Sequence, residues 1–86
     1  ALSNTVFTDY RIVNRDEIPL NEFYFGMHAD FDIGTSYDDF IGCDSTRNLI
    51  FGYNSDDFDE PSSSSYGYFN EVPACGYRFL NNQINL

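Results

Sequence analysis

Residues Thr5–Val13 read TVFTDYRIV, with Val6, Thr8, Tyr10 and Ile12 on one face and Phe7, Asp9, Arg11 and Val13 on the other. That period of two, rich in β-branched and aromatic residues, is the pattern of a strand. Glu22–Ala29, EFYFGMHA, follows after the polar, proline-bearing stretch NRDEIPLN, and sets Phe23, Phe25, Met27 and Ala29 on one side. Two such runs across a short polar loop predict an antiparallel hairpin.

Further along, Asn48–Tyr53 (NLIFGY) and Pro73–Leu80 (PACGYRFL) read as a third and a fourth strand. Asn54–Asn70 lies between them, turn-rich and carrying four consecutive serines, and reads as a flexible surface loop. No segment sustains a 3.6-residue period with caps. The expectation is therefore an all-β fold: a small antiparallel β-sandwich, or part of a larger one, with long acidic loops.

The chain has 86 residues, enough for one module, and 16 of them are Phe or Tyr. So aromatic a composition predicts a packed domain rather than a disordered acidic tail. Fourteen Asp and Glu face four Arg and no Lys, a formal charge of −10. Such a balance argues against nucleic acid and anionic membranes as partners and favours cations. No run approaches the ~20 apolar residues of a membrane-spanning helix. Ala1 reads as a mature N-terminus or a cut within a longer chain, and the tail NNQINL, without a stop signal, suggests a fragment or subunit of a larger protein. Cys43 and Cys75 either form a bridge closing a loop of about thirty residues, of the kind worth ~3 kcal/mol, or stay as separate thiols.

The chemistry concentrates in 30–44, DFDIGTSYDDFIGCD, which holds five carboxylates and no basic residue. Two like charges ~4 Å apart repel by ~4 kcal/mol at an effective dielectric of ~20. A fold gathering Asp30, Asp32, Asp38, Asp39 and Asp44 must spread them into water, protonate some, or bind a cation among them. Calcium suits that last solution, since it accepts about 6–8 oxygens in flexible geometry. The stretch is not an EF-hand, because Gly34 and Ile41 stand where that loop needs ligands. The second acidic group, Asn54, Asp56, Asp57, Asp59 and Glu60, either makes another site, joins the first, or is a solvated face, and its lack of glycine punctuation favours the last.

Enzyme readings find little support. The run HADFDIGT is faintly similar to the D-x-D-x-T strand end of aspartate-nucleophile phosphatases, but Gly34 takes the Thr position and the chain has no lysine for phosphate. His28 falls opposite Met27 and Ala29, a structural or exposed place rather than that of a general base.

The order FYFGMHADFDIG, then YDDFIGCDSTRNLIFGYN, then YGYFNEVPACGYRFL resembles a segment of large secreted and cell-surface proteins of the Bacteroidota, exported by the type IX secretion system. The resemblance spans about Val6 to Leu80, with Val72-Pro73-Ala74 where that segment often has Pro-Pro-Ala. It implies an extracellular or cell-surface location and a multidomain setting, and attaches no reaction. The combined expectation is a non-enzymatic, calcium-stabilised β module of an adhesin- or filament-like protein, with Ca2+ on Asp30, Asp32, Asp38, Asp39 and Asp44. Its partners would be neighbouring modules or subunits of the same assembly. The alternative is a calcium-dependent carbohydrate-binding module, with Tyr37, Tyr53, Tyr66, Tyr68 and Phe69 as stacking faces for a glycan.

Overall fold

The computed structural model describes residues 2–81, so the tail's last five residues lie outside the described part. The ordered centre is one antiparallel sheet of three strands in the order β1-β2-β3: β1 is Asp39–Asp44, β2 is Leu49–Asn54 and β3 is Ala74–Arg78. The helical content among the described residues is two short 3₁₀ turns, Ser36–Asp38 and Ser45–Arg47. The all-β expectation holds at that level. The described residues form a single layer.

The sequence explains why the first hairpin closes where it does. Asp44 ends β1 and its side chain accepts from the Thr46 and Arg47 backbone N–H groups, capping the Ser45–Arg47 turn. Asn48 then takes the left-handed conformation, φ 52°, which asparagine tolerates better than most residues. The register that follows sets Asp44 opposite Leu49 and Asp39 opposite Asn54.

Strand alternation divides the sheet into two faces. Asp39, Ile41 and Cys43 share one with Ile50, Gly52, Asn54, Cys75 and Tyr77. Phe31 lies on that face directly over Gly52, so close that a β-carbon there would sit 2.7 Å from the Phe31 Cβ. Its ring also meets Tyr77 at 5.7 Å. The segment that Phe31 brings in carries Ile33, the one apolar residue that is buried among the described residues. On the opposite face Phe51 lies over Gly42, and Tyr53 packs against both Phe51 and Phe40 at 5.8 and 5.9 Å. Phe40 and Tyr53 nevertheless remain exposed.

Two expectations need correcting, and one alternative left open is decided. Thr5–Val13 and Glu22–Ala29 form no ladder; both are without regular secondary structure, mostly exposed and linked by a Tyr10–Phe25 ring contact at 6.0 Å. Their alternation is real, but a strand needs a hydrogen-bonding edge as well as a pattern. The acidic stretch, in turn, is not all loop, because its second half is β1. Cys43 and Cys75 are free and exposed. They sit on β1 and β3 with β2 between them, and two strand spacings of ~4.8 Å already exceed the ~7 Å that a disulfide can span.

Candidate metal centre

The site is best built from the open end of the β1–β2 hairpin. The Ser55 N–H donates to the Asp38 carbonyl at 2.9 Å, which makes 38/55 a hydrogen-bonded pair. By antiparallel alternation, Asp39/Asn54 is then a non-hydrogen-bonded pair, the kind whose side chains stand closest, with Cα atoms ~4.5 Å apart. The fold thus brings two acidic residues and an asparagine to one corner of the sheet.

Each of these three residues has an oxygen that is buried without a hydrogen-bond partner among the described residues: Asp38 Oδ1, Asp39 Oδ1 and Asn54 Oδ1. The other atoms of two of these groups are committed. Asp39 Oδ2 accepts from the Ile33 N–H at 2.7 Å, and Asn54 Nδ2 donates to the Phe58 carbonyl at 3.1 Å and the Asp56 carbonyl at 3.3 Å. These bonds fix the orientation of Asp39 and of the Asn54 amide, whose residue is 7% exposed. A buried acceptor left unpaired costs ~1–3 kcal/mol, more when charged. Beside the corner, Asn54, Asp56, Asp57, Asn70 and Val72 line a shallow cleft of about 240 Å³.

The remaining residues of the expected set go elsewhere. Asp30 and Asp32 are exposed on the segment that leads into the sheet. Asp44 lies at the other end of β1 and is occupied by the turn it caps: its Oδ1 accepts from the Thr46 hydroxyl at 2.6 Å and its Oδ2 takes the Arg47 guanidinium. Those two hydrogen bonds, Thr46 first and then Arg47, hold its carboxyl at about 2, below the ordinary 3.8. The five aspartates therefore do not meet at one point. Among the described residues no three His, Cys, Asp or Glu side chains gather as a metal-binding group. The corner has two carboxylates, and its third oxygen is an amide.

The second acidic group also departs from expectation. Asp56, Asp57 and Glu60 are exposed, as a solvated face requires, but Asp59 is fully buried at 0% exposure. Its Oδ1 accepts from the Thr35 N–H at 3.1 Å and its Oδ2 from the Tyr68 N–H at 2.7 Å. Its backbone pairs in both directions with Phe69 at 2.9 Å. The physical reason for its burial is Gly34: φ is +61° there, and a β-carbon would fall 1.8 Å from Asp59 Oδ2. Asp59 is a structural pin that ties the 33–35 segment to the 67–69 turn.

Sequence reasoning placed Asn54 in the second acidic group, favoured there as a solvated face, though a signal for the corner was present. A hairpin turning at 45–48 sets 39 opposite 54. Of the aromatics proposed as sugar platforms, Tyr53 belongs to the sheet face, Phe69 packs against Phe58 at 5.8 Å, and Tyr37 and Tyr66 are exposed.

No family model, curated protein or solved structure matches this chain.

Proposed function

We propose that this chain is a non-enzymatic, extracellular β module in which Ca2+ binds at the open corner of the first hairpin, on Asp38, Asp39 and Asn54. The single observation behind this reading is the set of unpartnered buried oxygens at that corner. All three are hard oxygen donors, two of them carboxylates, which suits calcium and offers nothing to a soft metal. Backbone carbonyls and water would supply the rest of the shell. The ion offsets the repulsion between adjacent carboxylates and staples Asp38, which ends the Ser36–Asp38 turn, and Asp39, which opens β1, to Asn54 at the end of β2. The module belongs to a secreted or surface protein of structural or adhesive role, for which the type IX-like sequence phrase is the support. The sheet is then one layer of a sandwich whose second layer comes from a neighbouring module, consistent with exposed Phe40 and Tyr53.

Extracellular sites bind calcium with Kd from ~10⁻³ M down to ~10⁻⁴ M at the tight end. At ~2 mM calcium, binding of that strength stabilises the folded state by about 1.8 kcal/mol. For a domain this small, that corresponds to a rise of roughly 7–14 °C in Tm. Thermal melts of metal-stripped protein with and without calcium measure it directly. Asp39→Asn should abolish most of the rise, and Asp32→Asn should leave it. Identical melts of stripped and calcium-loaded wild type would overturn the proposal.

A further inference from the structure

We infer that Asp59 is a positioning residue for the calcium corner: acting through residues 33–35, it aims the Asp39 carboxylate at the ion. This deepens the proposed function and rests on it, since it names the groups that set the affinity of the same site.

The Asp39 carboxylate has two sides with different tasks. Its Oδ2 accepts from the Ile33 N–H at 2.7 Å, while its Oδ1 is buried without a partner among the described residues. The terminal torsion of an aspartate is broad, so the group on its own swings through a wide arc. The Ile33 bond stops that swing and leaves Oδ1 as the oxygen to spare. A ligand already held in place loses little freedom on binding. Removing the hydrogen-bond partner of a ligating carboxylate typically costs ~10–100-fold in metal affinity.

The Ile33 donor is only as well placed as the segment that carries it. Among the described residues, 33–35 donates three hydrogen bonds, of which the bond to Asp39 is one. The others run from the Thr35 N–H to Asp59 Oδ1 at 3.1 Å and from the Thr35 hydroxyl to the Glu60 carbonyl. Apolar contacts also hold this part of the chain, with Phe31 over Gly52 and Ile33 buried. Such burial is non-directional and does not aim an amide. The directional support of the Ile33 N–H therefore comes from residues 59 and 60.

Asp59 is itself firmly anchored. It is fully buried, its Oδ2 accepts from the Tyr68 N–H at 2.7 Å, and its backbone pairs in both directions with Phe69. Gly34 joins the two grips: the chain turns there at φ +61°, and the missing β-carbon leaves room for Asp59 Oδ2. Carboxylates twenty residues apart in sequence thus hold 33–35 from either end. Asp59 spends both oxygens on N–H groups, whereas Asp39 keeps one free. The first is placed to position, and the second to ligate.

The test is a calcium titration of the metal-stripped full chain followed by amide NMR, which measures a weak Kd and shows whether each variant is folded. Asp59→Ala should weaken calcium binding ~10-fold or more. Asp9→Ala removes the same charge from an exposed part of the chain and should leave Kd within ~2-fold of wild type. A purely structural pin would lower Tm and leave the Kd of the folded protein alone. Equal Kd for Asp59→Ala and wild type would therefore overturn the inference while the corner stands. A matching loss in Asp9→Ala would overturn it too, because charge and not position would then set the affinity. Should Asp59→Ala not fold, Thr35→Val removes the hydroxyl bond to the Glu60 carbonyl with charge unchanged and should weaken binding ~3-fold or more. A wild-type Kd in that variant would be equally fatal. Wild-type protein that binds no calcium would remove the corner itself, and this inference with it.

Discussion

Replacing Asp59 with Ala tests how this module holds together. The side chain is fully buried, and its two oxygens satisfy the Thr35 and Tyr68 N–H groups at 3.1 and 2.7 Å. Hydrogen bonds to a charged group contribute ~1.5–3 kcal/mol each, so losing both costs about 3–6 kcal/mol. The total stability of an 86-residue domain is only ~4–13 kcal/mol. Asp59→Ala should therefore consume a large part of the margin, and Asp59→Asn, which keeps one acceptor oxygen, about half as much. Urea denaturation followed by tyrosine fluorescence gives the free energies. Amide exchange at Thr35 and Tyr68 reports whether those donors are the ones set loose. If Asp59→Ala unfolds within ~1 kcal/mol of wild type, or if both amides keep their protection, then this carboxylate is not the pin and something else joins 33–35 to 67–69.

Two further outcomes follow from local geometry. Gly34→Ala puts a β-carbon 1.8 Å from Asp59 Oδ2 at a φ of +61°, so it should destabilise the fold, and combining it with Asp59→Ala should cost much less than the sum of the two in a double-mutant cycle. The folded-state pKa of Asp44 is depressed to about 2 from 3.8, so its contribution is complete above pH 3.8 and is lost as pH falls through the window down to about 2. Across that window Tm of wild type should fall more steeply than Tm of Asp44→Asn, and parallel curves would refute the capping role.

How much of this was legible in the sequence depends on what each pattern encodes. NLIFGY and PACGYRFL were readable as β2 and β3 because polar, turn-forming residues flank the first short apolar run and Pro73 opens the second, and the structure moves their ends by a residue or two. β1 was hidden behind its own charges. In DFIGCD neither face is uniformly apolar, since Asp39 shares one with Ile41 and Asp44 the other with Phe40, so alternation of polarity gives no signal there. Thr5–Val13 failed in the opposite way: a period of two says which side chains share a face and nothing about whether an edge is at hand. Asp59 was invisible because burial of an aspartate among NSDDFDE depends on a glycine 25 residues earlier that makes room for it. The candidate corner was half legible, with Asp38 and Asp39 read from the acidic run and Asn54 recoverable only from hairpin register.

The spacing of the three strands also sets the order in which the sheet can assemble. Four residues, 45–48, join β1 to β2, whereas nineteen, 55–73, join β2 to β3. On chain-closure entropy alone the longer connection costs about 1.4 kcal/mol more. The Asp59–Phe69 bridge falls inside that span and shortens the effective loop once it forms. The first hairpin is thus the local nucleus, and the last strand docks onto a template already made, arriving with its far side still unclaimed.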